Sequence, residues 1–171
     1  MSSTRAMAVL SVLIALILTV PVAGAQQSDS LIGDPERGKY VYRSLGYCGN
    51  CHGWPGDGIT GTMLQAPRAP NLRQSKLDAE LLYEVIRCGI PTTAMPYHGR
   101  TAYKSDPCFG LVLSDFPAES PPRRGKTFGD KDIVHLVAFL QAKVIGRGEP
   151  TFDECADFYD NPNASACRLL K

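Results

Sequence analysis

The chain has 171 residues, 44% of them hydrophobic, and its 18 Lys and Arg against 17 Asp and Glu leave a formal charge of +1. That balance excludes the sequence-wide basic field of a nucleic-acid binder. The length suits one domain with its own core, and no serine setting, carboxylate pair or phosphate loop points to hydrolytic or nucleotide chemistry.

The first element in the chain is a targeting segment. Arg5 supplies a thin positive region, Ala8 to Val20 is a nearly unbroken apolar run, Pro21 breaks any helix, and Ala23-Gly24-Ala25 is a small-residue cleavage site. The run falls short of the ~20 residues of a spanning helix. Residues 1–25 are therefore expected to be a signal peptide rather than a retained anchor, with export to the periplasm and no membrane span in the mature chain. Residues 26–33 follow as a polar leader.

Helix signals begin at Asp34, which can cap, with Pro35 at the first helical position and Glu36 at the positive end of the dipole. Gly38, Val41, Tyr42 and Leu45 share one helical face. A glycine there costs helix propensity, so it suggests a second helix crossing closely. Gly53 to Asn71, with Gly53, Pro55, Gly56, Gly58, Gly61, Pro67 and Pro70, reads as loop. A second helix is expected from about Asp78 to Cys88, with Leu81, Leu82, Val85 and Ile86 buried and Gly89 as its C′ residue.

Residues 90–99 form a loop containing Met95, and the turn-rich stretch 100–126 reads as an insertion with little regular structure. The last helix is expected to begin near Thr127, where Thr127-Phe128-Gly129-Asp130 resembles a capping box. Ile133, Leu136, Val137, Leu140 and Val144 make its apolar stripe, His135 faces the other way toward solvent, and Gly146 ends it. A C-terminal extension, 147–171, carries a short helix around Asp153 to Tyr159. The expected architecture is all-α: about three core helices with long loops, in a domain from 34 to 146, with no strand pattern.

Six cysteines in an exported chain suggest disulfides. Two of them, however, lie in Cys48-Gly49-Asn50-Cys51-His52. Cysteines at i and i+3 on a helical turn present both sulfurs to the vinyl groups of one porphyrin, and the next residue, His52, lies beneath the iron. A zinc site would want a second close Cys/His pair, and Cys88, Cys108, Cys155 and Cys167 are far apart. A thioredoxin-like motif would want a βαβ context. The pattern points to one covalent haem c. Among the four remaining cysteines, proximity favours Cys155 with Cys167 and Cys88 with Cys108.

The second axial ligand is open between several residues. Met95, in Thr92-Thr93-Ala94-Met95-Pro96, can offer a thioether to the opposite haem face and would raise the potential relative to a second histidine. Core filling is the usual role of a lone methionine, and Met63 and His98 are the other candidates.

With these residues in hand, the chain resembles a class I (mitochondrial-type) monohaem c-type cytochrome over about 34–99 and 127–144. The resemblance implies the cytochrome c fold, in which Gly38, Tyr42 and Phe139 or Leu140 match the crossing of the first and last helices. It implies that Pro70, in Ala69-Pro70-Asn71-Leu72, supports the ring of His52 through its carbonyl. It also implies that Met95, in Met95-Pro96, is the distal iron ligand opposite His52.

The insertion with Cys108 and the tail with Cys155 and Cys167 depart from a minimal member. They resemble additions on cytochromes dedicated to one periplasmic dehydrogenase, including partners of quinoprotein alcohol dehydrogenases.

The expected function is a periplasmic one-electron carrier, not an enzyme. Its partners would be redox proteins such as a quinoprotein dehydrogenase and a terminal oxidase or other cytochrome. The alternatives are a haem subunit of a larger redox complex, or a haem enzyme or gas sensor with a labile sixth ligand. Weaker signals are the basic cluster Arg123, Arg124 and Lys126, the acidic tail residues Asp153, Glu154, Asp157 and Asp160, and Trp54 beside the haem motif. Asn163-Ala164-Ser165 fits a glycosylation sequon of a kind common by chance.

Overall fold

Asp34 starts the first helix by accepting hydrogen bonds from the backbone N–H groups of Glu36 (2.9 Å) and Arg37 (3.4 Å), with Pro35 in the first turn. It thereby satisfies donors that every helix start leaves unpaired. The computed structural model describes residues 31–59 and 69–170. The expected signal peptide, 1–25, most of the leader and Met63 lie outside the described residues. Helix α1 (Pro35–Tyr40) passes without a break into a π-helical turn, Val41–Leu45.

α1 packs across α4 (Asp130–Phe139). Gly38 sits at the crossing: a Cβ there would strike the carbonyl oxygen of His135 and lie 2.6 Å from Cβ of Phe139. The backbones approach too closely for any other residue. Val41 and Tyr42 on the following turn are buried with Ile133, Leu136, Val137, Phe139 and Leu140 in the main core. Helical periodicity puts His135 on the solvent side. It is instead half-buried, and its Nδ1 accepts a hydrogen bond from the Asp34 N–H at 2.8 Å. A polar ring off the apolar stripe has here found a partner on the neighbouring helix.

Helix α3 (Ala79–Cys88) starts at Asp78, whose side chain accepts from the Leu81 N–H at 2.9 Å. Leu82 and Ile86 face the core, while Leu81 remains 49% exposed and Val85 half-buried, so the buried stripe is narrower than the four residues expected.

The stretch 97–128 adds a short two-stranded sheet to a mostly helical domain, where no strand was expected. Strands β1 (Tyr97–Gly99) and β2 (Arg124–Phe128) pair in parallel, with an irregular register between Tyr97↔Arg124 and Gly99↔Phe128. Thr127 and Phe128 therefore belong to a strand, and α4 begins at Asp130 after Gly129, without a side-chain cap. The pairing is long-range and short, so no local alternation announces it. The intervening insertion has its own small core of Cys88, Tyr97, Ala102, Tyr103 and Cys108.

Both proximity pairings of cysteine are present: Cys88–Cys108 and Cys155–Cys167 are disulfides. The C-terminal extension is packed rather than appended. Helix α5 (Phe152–Tyr159) has a Thr151/Glu154 capping box and buries Phe158 against Tyr42, at 6.1 Å between ring centroids. The Lys39 ammonium, 9% exposed, meets Asp160 at 2.8 Å, Glu36 at 2.8 Å and the Asp157 carbonyl at 2.9 Å. Burial alone would lower its pKa, but the hydrogen bonds to Asp160 and Glu36 raise it above the ordinary value. The same contacts lower Asp160, chiefly through Lys39. Among the described residues no helix is long and apolar enough to cross a membrane.

Gly38→Ala should lower stability by about 1–3 kcal/mol, the cost of overpacking a tight contact. Denaturant unfolding of the holoprotein measures it. A change of a few tenths would contradict the close crossing.

Candidate haem site

The haem motif occupies the single turn α2 (Gly49–His52), which Cys48 leads in helical conformation. The Cys48 N–H donates to the Tyr42 carbonyl (3.0 Å), and the Cys48 carbonyl accepts from Cys51 (3.1 Å) and His52 (2.9 Å). This geometry sets Cys48 and Cys51 one turn apart on one face. Four of the six cysteines are consumed in disulfides, leaving these two as the free thiols.

Burial pushes the Cys48 thiol up to about 12. It is thus a neutral thiol, opposite to the lowered value that makes a redox-active C-x-x-C dithiol reactive. Tyr42 closes the rear of the turn: its hydroxyl donates to the Gly53 carbonyl at 2.7 Å, and its pKa lies well above the ordinary range, first through burial and then through Cys48.

His52 is half-buried, and its Nδ1 lies 3.3 Å from the Pro70 carbonyl oxygen. That contact is at the long end for a hydrogen bond. With Nδ1–H donating to it, Nε2 keeps its lone pair free for a metal. Burial lowers the His52 pKa and the Pro70 contact opposes this, so the ring is neutral at neutral pH, the form that ligates. A paired free-thiol turn followed by a neutral, oriented imidazole fits a covalently held haem and its proximal ligand.

Pro70 reaches this position because two loops are stitched together. The Gly58 N–H donates to the His52 carbonyl (2.8 Å) and the Leu72 N–H to the Gly56 carbonyl (2.7 Å). Gly58 has φ +79, and a Cβ on it would lie 2.5 Å from the Ala69 carbonyl oxygen, so only glycine fits. Arg73 then pins the junction. It is 5% exposed and donates to the carbonyls of Pro55 (3.2 Å) and Gly148 (2.6 Å), and to Glu154 Oε2 (3.0 Å). Sequence reasoning missed Arg73, because an arginine becomes a hub only through partners distant in the chain.

Met95 belongs to a different segment, half-buried in the loop between α3 and β1. Among the described residues no hydrogen bond or ring contact joins it to Cys48, Cys51 or His52. Its loop is nonetheless held by its own hydrogen bonds: the Ile90 N–H donates to the Met95 carbonyl (3.1 Å), and the Met95 N–H to Thr93 Oγ1 (3.2 Å). Gly89, with φ +63, allows Pro96 and Tyr97 to approach where a Cβ would lie 2.6 Å from each.

His98 is buried, with Nδ1 2.7 Å from the Lys126 carbonyl and its ring stacked on Phe128 at 4.5 Å. Phe128 also borders the haem turn: a Cβ on Gly46 would meet both Cys48 Sγ (2.8 Å) and Phe128 Cζ (2.9 Å). Sequence reasoning assigned Phe128 to a helix cap and so missed this contact.

The fold and the C-x-x-C-H turn define a c-type cytochrome domain. The family model described as cytochrome c oxidase, cbb3-type, subunit III matches residues 33–140, more than half of the chain, and the chain belongs to that family. No curated protein and no solved structure matches it. The domain binds haem c covalently and serves electron transfer.

Burial lowers the His98 pKa, opposed by the Lys126 carbonyl. The unfolded chain, with an ordinary value of about 6.5, therefore takes up this proton before the folded one does. The stability His98 contributes is present above about pH 6.5 and is lost as pH falls through the folded value below it. Unfolding free energy measured between pH 7 and pH 5 should fall less steeply in His98→Phe than in the wild type. Equal slopes would refute the assignment.

Proposed function

We propose that the chain is a periplasmic one-electron carrier, exported by residues 1–25. Cys48 and Cys51 form the thioethers, His52 and Met95 are the axial ligands, and Pro70 orients His52. The observation that carries this reading is the 3.3 Å approach of His52 Nδ1 to the Pro70 carbonyl, beside the two free thiols of the same turn. When bound, the haem supplies a one-electron couple between ferric and ferrous iron.

The chain's own residues do the rest. His52 is held neutral and in one tautomer. The Thr93 and Ile90 contacts keep the Met95 loop in one conformation, so that little must rearrange when the charge on the site changes. A site with both axial positions filled leaves none for substrate, which favours a carrier over an enzyme or gas sensor. The redox partners are proteins: a dehydrogenase, with the quinoprotein alcohol dehydrogenases as the class suggested by the extra segments, and a terminal oxidase or other cytochrome.

The family match favours a second reading, a haem subunit working inside an oxidase complex. Supporting the carrier are the insertion, with its own small core, and the tail, packed onto Tyr42 through Phe158. Both fold back onto the haem domain and stiffen it as a unit. The two readings differ in solution: a carrier exchanges electrons as an isolated monomer, and a subunit copurifies with its complex.

Met95→Ala should abolish the sulfur-to-iron charge-transfer band of the oxidised protein and lower the reduction potential. Retention of the band would remove Met95 from the ligand set. The reduced wild-type protein should bind CO poorly at neutral pH, and tight binding would instead favour a sensor or enzyme. Cys48→Ala with Cys51→Ala should leave haem that acid–organic extraction removes, whereas the wild type retains it. Haem resisting extraction from that double variant would disprove the thioether assignment.

A further inference from the structure

We infer that His98 is a positioning residue that locks the Met95 loop onto strand β2. The inference rests on the reading of Met95 as an axial ligand and concerns what keeps it there. Three consecutive residues beyond Met95 are each gripped by β2 or its approach. Pro96 packs against Gly125, where a Cβ would come within 3.0 Å of its Cγ. The Tyr97 N–H donates to the Arg123 carbonyl at 2.9 Å. His98 Nδ1–H donates to the Lys126 carbonyl at 2.7 Å, and its ring lies parallel to Phe128, 5° between planes and 4.5 Å between centroids.

Gly125 is the counterpart of that ring. Its absent Cβ would stand 2.6 Å from His98 Cε1 and 2.9 Å from Nδ1. Any side chain there would push the imidazole off the Lys126 carbonyl. The hydrogen bond is short, and its donor ring is buried, so removing that donor leaves the carbonyl without its side-chain partner.

A thioether is a neutral, soft ligand on three rotatable bonds. Its hold on a metal therefore depends on how firmly the backbone presents it. On the α3 side, the loop is held by the Ile90–Met95 hydrogen bond and the tight approach at Gly89. His98 supplies the corresponding hold on the β2 side. In the competing role His98 would itself offer its free Nε2 to the iron, and the oxidised wild-type protein would then lack the sulfur-to-iron charge-transfer band.

The test is displacement of the thioether by added imidazole in the oxidised holoprotein, followed through the sulfur-to-iron charge-transfer band. His98→Phe keeps an aromatic ring but loses the donor, and should raise the apparent imidazole affinity by up to about tenfold, the equivalent of one buried hydrogen bond. Gly125→Ala keeps the His98 side chain but pushes its ring aside, and should move the affinity in the same direction. His98→Asn retains a donor at the position of Nδ1 and should return the affinity toward the wild-type value. Asp160→Asn, which weakens the Lys39 pair between α1 and α5, should lower thermal stability without changing imidazole affinity.

If His98→Phe does not fold, Gly125→Ala decides. Wild-type affinity in His98→Phe and Gly125→Ala overturns the inference. So does an equal rise in Asp160→Asn, because general loosening then explains it. A wild-type protein with no charge-transfer band overturns the Met95 ligand reading itself, and the inference with it.

Discussion

The close crossing of α1 over α4 is the constraint from which the haem turn inherits its position. Its tolerance is set by one missing side-chain atom, at Gly38 against the His135 carbonyl. The same residue of α4 also receives the Asp34 N–H on its ring nitrogen, so α1 is fixed at its start and its crossing by one neighbour. One turn on, Tyr42 fills the gap between α4 and α5, with Phe139 at 5.5 Å and Phe158 at 6.1 Å. Its hydroxyl reaches the Gly53 carbonyl directly after the motif. A shift of α1 along α4 would therefore be transmitted by Tyr42 to the end of the turn that carries Cys51 and His52.

Around that turn, polar groups are oriented by backbone carbonyls rather than by charges. His52 faces the Pro70 carbonyl and His98 the Lys126 carbonyl, and burial lowers the pKa of both rings. A carbonyl partner fixes the tautomer without adding a full charge close to the site. A carboxylate in the same place would raise the imidazole pKa and make the ligand a stronger donor. The choice keeps both rings neutral and leaves the site's charge to change mainly with the electron.

What could be read in advance follows from how local each cause is. Asp34 caps the helix it precedes, Gly38 marks a crossing, and the C-x-x-C-H turn is a contiguous five-residue geometry. The disulfides, too, join cysteines close in sequence, and their partners are the ones proximity selects. The features that escaped depend on partners far along the chain. β2 exists because Tyr97 bonds to Arg123, and nothing within Arg124–Phe128 announces a strand. Arg73 is buried by Pro55, Gly148 and Glu154, and Phe128 meets the haem turn only after β2 has formed. His135 escaped for the same reason: helical periodicity sees the stripe on its own helix and not the amide waiting on the next.

In the proposed His52/Met95 site, the two extra segments divide the stiffening between them. On the His52 side, Arg73 ties the segment after Pro70 to Gly148 and Glu154, the Gly146 N–H donates to the Arg73 carbonyl, and Cys155–Cys167 closes the tail. On the Met95 side, Cys88–Cys108 closes a loop that contains Met95, Tyr97 and His98, and the Tyr103 hydroxyl donates to the Cys88 carbonyl at 2.9 Å. Arg87 adds a fork to Glu84 and an ion pair to Asp106. A closed loop of this kind restricts the unfolded chain by about 3 kcal/mol in the loop-entropy account, yet its local consequence matters more for function. The loop carrying the weaker candidate ligand is anchored at both ends and along β2. If His52 and Met95 are the two ligands, as proposed, segments that look like ornament on a minimal cytochrome each hold the backbone behind a different one of them.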